Sequence, residues 1–131
     1  MKTITFVFLI GWLTMGCATQ SGMDRNPSNN LIIEQDEGEQ YELIIIDPQF
    51  RSWFATNAKP INFHSLTYYE SQNKQYVTAW NELFHSTGGR GPFGSYIDYQ
   101  FSEDYGLDLN YELYWYFKYI ESIYGKRYNF P

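Results

Sequence analysis

Two histidines are the first residues to consider for catalysis or metal binding. His64 and His85 are the only histidines in the chain, and neither belongs to an HExxH motif or has a nearby cysteine. Zinc sites normally show one of those patterns. Ser86 follows His85 and could form a catalytic set with an acid, but the G-x-S-x-G elbow that would support this is absent. The sequence around the two histidines therefore gives no reason to expect a metal site, a cofactor or a catalytic residue there.

Acidic residues form a second candidate site near Gly106. Asp98, Glu103, Asp104 and Asp108 surround that glycine, without the regular spacing that ends in glutamate in calcium loops. Segment 104–106 is more typical of a turn before a helix. Paired carboxylates could also hydrolyse glycosides, but only across a sugar-binding cleft that a domain of this size rarely builds. A small hydrolase is thus the third hypothesis for function.

A glycine-rich segment, TGGRGPFGS at 87–95, could in principle cradle a phosphate group. It contains four glycines and one proline. Phosphate loops of the P-loop type lie between a strand and a helix and end in GK[ST], and this segment lacks that ending. We interpret it as a loop.

Aromatic residues are the compositional anomaly, with 13 Tyr, 10 Phe and 4 Trp making up 21% of the chain. Most of them fall on helical stripes and should form the core, because the chain has few Leu and Val. Tyr68, Tyr114 and Tyr119 fall off those stripes. They are predicted to be exposed and to form a binding surface for a protein or a glycan.

The N-terminus has the layout of a bacterial export signal. Lys2 precedes a largely apolar run over residues 4–15, which is shorter than the ~20 residues of a membrane span. LTMGCA at 13–18 resembles a lipobox, although Thr14 replaces the usual leucine. Cys17, the only cysteine, is therefore predicted to be lipidated and to become the first mature residue. An uncleaved anchor and an ordinary secretory signal are the alternatives.

These features divide the chain into a signal peptide at 1–16, a lipidated cysteine with a flexible tether at 17–30, and one globular domain at 31–131. The tether is predicted from its small and polar residues, which include Gly and Pro. The chain has 15 acidic and 9 basic residues, a net charge of −6. That balance argues against nucleic acid as a partner.

The domain begins with a strand signal that runs into a helix. Leu31–Ile33 and Leu43–Ile46 should form a hairpin around Gly38, with the second strand central and buried on both faces. Asp47 and Pro48 predict a capped helix start, and that helix should end at Asn57. Its aromatic face is expected to pack on the sheet. That face contains Phe50, Trp53 and Phe54.

Two further helices and one further strand follow. A helix over Thr67–Phe84, capped by Ser65, should pack on the sheet, and Asn73 in its apolar stripe would need hydrogen-bond partners. Alternation predicts a third strand over Tyr96–Phe101. The last helix is predicted to start at a cap, Asp108 or Asn110, and to stop at Gly125. Its apolar stripe should contain Leu113, Phe117, Ile120 and Tyr124, with Tyr116 and Ile123 extending it. The fold class is a small α+β domain with two or three strands covered by three helices.

Three segments support a family resemblance: YELIIIDPQFRSWFATNAKP, SLTYYESQNKQYVTAWNELF and IDYQFSEDYGLDLNYELYWYFKYIE. They resemble a family of small uncharacterised lipoproteins, a domain of unknown function of Bacteroidetes-type bacteria. The resemblance implies an envelope location and a shared fold, and it supplies no catalytic residues. The glycine-rich segment at 87–95 departs from that pattern.

The first functional hypothesis is a noncatalytic envelope lipoprotein that Cys17 anchors to a membrane. The preferred location is the periplasmic side of the outer membrane. The domain of the lipoprotein would bind another protein or stabilise an assembly. The alternative is a module that binds cell wall or glycan, which an exposed aromatic strip would favour. A deep pocket holding a histidine against a carboxylate would favour the hydrolase.

Overall fold

Three helices and a two-stranded sheet form the domain. The computed structural model describes residues 31–35, 38 and 40–131, so the predicted signal peptide at 1–16 and the predicted lipidated Cys17 and tether at 17–30 lie outside the described residues. In order, the elements are β1 Leu31–Gln35, β2 Tyr41–Ile45, α1 Pro48–Asn57, a 3-10 turn Ile61–Phe63, α2 Leu66–Thr87 and α3 Gly106–Tyr128. The α+β class is confirmed.

Helix α3 lies at the centre of the domain. β2, α1, the 3-10 turn and α2 all contact it. Five consecutive residues, 113–117, are buried, although they point in all directions around the helix axis. A helix that is buried on all sides has no solvent-facing stripe over that length.

The hairpin is confirmed, but a central strand is not. β1 and β2 pair antiparallel with Leu31 opposite Ile45 and Ile33 opposite Leu43. The sheet of the described residues has only these two strands, so β2 is not a central strand, and its two faces differ in burial. Leu43 and Ile45 are buried, whereas Glu42 and Ile46 are exposed.

Helix α1 begins where the sequence predicts, because its cap is local. Asp47 Oδ1 accepts hydrogen bonds from the backbone N–H groups of Gln49 at 2.9 Å and Phe50 at 3.2 Å. The prediction that its aromatic face packs on the sheet is wrong. The Phe50 and Phe54 rings pack instead on tyrosines of α3, with ring centroids 5.3 and 5.6 Å apart.

Helix α2 is capped by Ser65, as predicted, since Ser65 Oγ accepts from the Tyr68 N–H at 3.2 Å. The helix packs on α3 rather than on the sheet. It continues past Phe84 to Thr87 and ends at Gly88, whose φ of 63° is left-handed. The helix therefore ends at a glycine, which adopts the left-handed conformation without the steric clash that a Cβ would cause.

The predicted third strand is wrong, because a helix supplies the hydrogen bonds that a neighbouring strand would supply. Residues 96–100 lie in no strand, although Ile97 and Tyr99 are buried in alternation. Asn81 Nδ2 donates to the Ile97 carbonyl at 3.0 Å, and the Ile97 N–H donates to Asn81 Oδ1 at 2.9 Å. The Asn81 amide thus takes the place of a strand peptide group.

Both predicted ends of α3 are wrong. The helix starts at Gly106, whose N–H donates to Asp104 Oδ1 at 3.0 Å, ahead of Asp108 and Asn110. It continues through Gly125 and ends before Asn129, whose φ of 51° is left-handed. The Phe130 N–H then donates to the Gly125 carbonyl at 3.0 Å. Gly125 therefore provides room for the returning chain instead of stopping the helix.

Asn73 has the hydrogen-bond partners that its position in the α2 stripe required. It is fully buried, and its Nδ2 donates to the carbonyl and the Oδ1 of Asn110 at 2.9 and 3.0 Å. Asn110 is fully buried as well, and its Oδ1 also accepts from the Tyr99 hydroxyl at 2.8 Å. This polar network joins α2 to α3 in the middle of an aromatic core.

Candidate binding groove

A groove of about 1030 Å³ lies between the start of α1, the glycine-rich loop and the second half of α3. We call it the α3 groove. Binding pockets in proteins have volumes of ~300 to 1,000 Å³, so its size suits a ligand or a partner segment. Its lining residues are Asp47, Gln49, Ser86, Thr87, Gly89, Arg90, Gly91, Pro92, Tyr116, Tyr119, Ile120, Ile123, Tyr124, Arg127 and Tyr128.

One face of α3 forms the floor of the groove. Seven α3 residues line it, at positions i, i+3, i+4, i+7, i+8, i+11 and i+12 counted from Tyr116 to Tyr128, which places them on one face of the helix. Four of the seven are tyrosines. The sequence placed part of this stripe in the core, yet Ile123 is half exposed, at 50%. In its C-terminal half, the stripe therefore serves as a recessed surface.

The glycine-rich loop forms one wall and is held against the end of α3. Gly91 has φ of 70°, and a Cβ at this position would lie 2.9 Å from the Tyr128 hydroxyl oxygen. Phe93 of the same loop is buried and packs edge-on against the Tyr128 ring, with centroids 5.1 Å apart. Gly91, which has no side chain, thus leaves room for the Tyr128 hydroxyl, and the buried Phe93 ring fixes the position of the Tyr128 ring.

The charges of the groove are mixed. Arg90 and Arg127 are exposed, and no ion pair within 31–35, 38 and 40–131 engages either of them. Asp47 contributes a carboxylate, and α2 and α3 both end beside the groove, each with about half a negative charge. These charges roughly cancel. The groove is therefore amphipathic and hydrogen-bonding rather than a simple anion site.

Tyr116 and Tyr119, two tyrosines of the floor, keep their hydroxyl protons. Burial, followed by the nearby Asp47 carboxylate, raises the pKa of Tyr119 to about 12. The same two causes, in the same order, raise the pKa of Tyr116 well above its usual value. Both hydroxyls therefore remain neutral hydrogen-bond donors at physiological pH.

Alkaline pH is expected to destabilise the domain, because seven tyrosines share this upward shift. Burial is the first cause for each: Tyr76, Tyr99, Tyr105, Tyr111, Tyr114, Tyr116 and Tyr119. An unfolded chain releases tyrosine protons near pH ~10, whereas the folded domain retains them to higher pH. The unfolded state then binds fewer protons, so stability is complete below about pH 10 and falls above it.

The expected loss approaches ~1.4 kcal/mol per tyrosine and per pH unit between the two pKa values. Thermal unfolding followed by circular dichroism across alkaline pH, with tyrosinate absorbance recorded in parallel, measures it. A melting temperature that stays constant to about pH 12 would contradict the shifts.

The three tyrosines predicted as a binding surface do not lie together. Tyr68 is exposed at 38%, but Tyr114 and Tyr119 are buried, at 6% and 5%. The expectation of exposure is wrong for these two, because α3 is buried on all sides around Tyr114, and the Phe50 and Trp53 rings of α1 pack on Tyr119. The structure brings Tyr68 and Tyr114 together, with ring centroids 6.0 Å apart, whereas Tyr119 lies in the α3 groove.

Tyr68 belongs to a partly exposed group of three aromatic side chains. Phe63 is exposed at 59%, and His64 lies next to both, stacked on Tyr68 with centroids 4.0 Å apart and planes at 22°. Tyr69 and Tyr114 pack edge-on against the other sides of the imidazole. We call Phe63, His64 and Tyr68 the aromatic strip. His64 is thus a ring-packing residue.

The other candidates for chemistry are dispersed. His85 is exposed beside the rings of Phe84 and Tyr96, and neither histidine lines the α3 groove. Across the described ranges, no group of three or more His, Cys, Asp or Glu is placed to hold a metal ion.

None of the described helices combines the length and the apolar character that crossing a bilayer requires.

Sequence reasoning missed Arg90, Arg127 and Tyr128 as groove residues. Tyr124, Arg127 and Tyr128 continue the α3 stripe at steps of three and four, so their shared face was recognisable. The approach of Arg90 and the loop to that face was not, because it depends on contacts between residues distant in sequence.

Comparison with known families gives one result. The model of a family of unknown function, DUF6146, matches residues 5–130. The chain belongs to the DUF6146 family. Neither the curated proteins nor the solved structures contain a match to the chain. The DUF6146 match starts within the apolar N-terminal run and includes Cys17.

Proposed function

We propose that the protein is a noncatalytic envelope lipoprotein whose domain holds a partner protein in the α3 groove. The observation that supports this is the lining of the groove: four tyrosines and two arginines beside the half-exposed Ile123. Tyrosine and arginine are enriched among the residues that dominate protein interfaces. Directional hydrogen bonds come from the Tyr116 and Tyr119 hydroxyls and from Arg90 and Arg127, which no ion pair of the described residues engages. Ile120 and Ile123 supply apolar contact.

The proposed anchor is an acylated Cys17 on the periplasmic side of the outer membrane. Its support is the lipobox-like segment at 13–18 together with the family match, which extends over this segment. A tether at 17–30 would hold the domain away from the bilayer and leave the groove accessible.

Site-specific photocrosslinking in the native envelope tests the groove. A photoreactive residue replacing Ile123 is expected to give a discrete protein adduct. The matched control replaces Thr78, which is exposed on α2 and does not line the groove. Combining Arg90→Gln with Arg127→Gln should reduce the Ile123 adduct at least ~tenfold, since two hot-spot arginines are together worth more than ~2 kcal/mol. Equal adducts at both positions, or none at Ile123, would refute the groove as the interface.

A glycan-binding role is the second candidate, and the aromatic strip favours it. Sugar rings bind to exposed aromatic faces, and Phe63 and Tyr68 present such faces on either side of His64. Titration with soluble cell-wall fragments separates the two proposals. Binding that Tyr68→Ala abolishes and Arg127→Gln preserves would assign the function to the strip.

A further inference from the structure

The β1–β2 hairpin has an outer face that no helix of the described part covers. We call it the outer hairpin face and define it by Ile32, Glu34, Glu42, Ile44 and Ile46. Strand alternation places it opposite the inner face, where Leu43 and Ile45 are buried. The only helix that contacts the sheet is α3, and it packs on β2.

The outer hairpin face has an apolar half. Ile32 and Ile44 lie directly opposite each other in the register, and Ile32 and Ile46 are exposed. Tyr96 is also exposed and borders a small recess of about 210 Å³ that Ile32 lines. Packing on α3 stabilises the inner face of the hairpin, whereas neighbouring exposed isoleucines on the outer face form an apolar patch that points to a partner covering them.

The other half of this face is acidic, and its charges oppose each other. Glu34 lies directly opposite Glu42, an arrangement that destabilises a sheet. Both glutamates are exposed, and no ion pair in the described part of the chain neutralises them. No Lys or Arg occurs in the sequence between Arg25 and Arg51. The hairpin therefore carries an uncompensated negative charge next to exposed isoleucines.

We infer that the outer hairpin face binds a basic amphipathic segment of a partner protein, distinct from the α3 groove. Apolar side chains of that segment contact Ile32, Ile44 and Ile46, and its Lys or Arg side chains pair with Glu34 and Glu42. A second copy of the chain does not fit, because two such faces would bring four glutamates together. An anionic bilayer is repelled for the same reason.

Opposite effects on binding and on stability test this inference. The probe is a labelled peptide that alternates lysine and valine, titrated onto the purified full-length lipoprotein in neutral detergent. The Glu34→Gln, Glu42→Gln double variant should bind it about tenfold more weakly. The same variant should melt about 1 to 4 °C higher, because the cross-strand repulsion is gone. Added salt should weaken wild-type binding.

The matched control is Glu82→Gln, an exposed glutamate on α2, and it should change neither quantity. A glutamate–valine peptide should not bind. Because a misfolded variant would lose stability, weaker binding together with a higher melting temperature supports the inference directly. Undiminished probe binding in the double variant, no probe binding in the wild type, an unchanged melting temperature, or self-association of the wild type through this face would each overturn it.

Discussion

Replacing Asn110 by leucine is expected to lower the free energy of unfolding by about 3 kcal/mol, although leucine is apolar and similar in size. Asn110 Oδ1 accepts from the Tyr99 hydroxyl and from Asn73 Nδ2, at 2.8 and 3.0 Å. Its Nδ2 donates to the Gly106 carbonyl at 2.8 Å. Leucine would leave the Tyr99 hydroxyl and part of the Asn73 amide without partners inside the core.

The cost arises from the groups left behind rather than from the hydrogen bonds as such. Each buried polar group without a partner costs ~1 to 3 kcal/mol. Asn73 Oδ1 is already buried without a hydrogen-bond partner among the described residues. In the leucine variant the Asn73 side chain would therefore keep only the bond from its Nδ2 to the backbone carbonyl of residue 110. Burial, as the first cause, raises the pKa of Tyr99 well above its usual value, which keeps its hydroxyl a donor that needs an acceptor.

Urea unfolding followed by tryptophan fluorescence measures the loss. Asn62→Leu is the matched control, because Asn62 is exposed, and it should change stability by less than ~0.5 kcal/mol. In a Tyr99→Phe background the additional cost of Asn110→Leu should be smaller, since the orphaned hydroxyl is gone. If Asn110→Leu lowered the free energy of unfolding by less than ~1 kcal/mol in the wild-type background, the polar network would not be what stabilises the packing of α2 on α3.

Local signals predicted the starts of two helices, and the reason is physical. The caps at Asp47 and Ser65 act on N–H groups two or three residues away, so the relevant contact lies inside the pattern itself. At the start of α3 the cap residue, Tyr105, makes no side-chain hydrogen bond, and Asp104 one residue earlier accepts from the Gly106 N–H instead. There, Asp108 and Asn110 have the right chemistry for a cap but lie inside the helix.

The packing partners could not be predicted, because an apolar stripe shows that a face is buried but not what covers it. The aromatic face of α1 was assigned to the sheet and packs on α3. The alternation of 96–101 was assigned to a strand, but the Asn81 amide satisfies Ile97. Positions off the stripe predict exposure for Tyr114 and Tyr119, but α3 is buried on all sides at 113–117 and the α1 rings pack on Tyr119.

The sequence predicts the two segments that form the α3 groove, but not the contact between them. The loop at 87–95 and the stripe ending at Tyr124 both follow from the sequence. Their contact depends on Gly91 lying against Tyr128, and a Cβ at Gly91 would come within 2.9 Å of that hydroxyl. Such a contact joins residues far apart in the chain, so no spacing rule reports it.

Replacing Cys17 by alanine is expected to move the protein from the membrane fraction to the soluble fraction. A single acyl chain gives marginal membrane binding, whereas several chains on one residue give stable anchoring. Removing the acceptor thiol removes all of them together. Palmitate labelling and carbonate extraction measure the change: the wild type should be labelled and retained, and Cys17→Ala should be neither. Thr14→Leu, which restores the usual lipobox residue, is the matched control and should be labelled at least as well as the wild type.

The two alternatives give different results in the same experiment. If residues 4–15 formed an uncleaved anchor, Cys17→Ala would stay in the membrane at its full length. If the N-terminus were an ordinary secretory signal, neither form would incorporate palmitate, and the wild type would already be soluble. Cys17 is the only cysteine, so no other thiol could carry the label. Loss of both palmitate and membrane retention in one substitution is therefore the result that identifies Cys17 as the anchor.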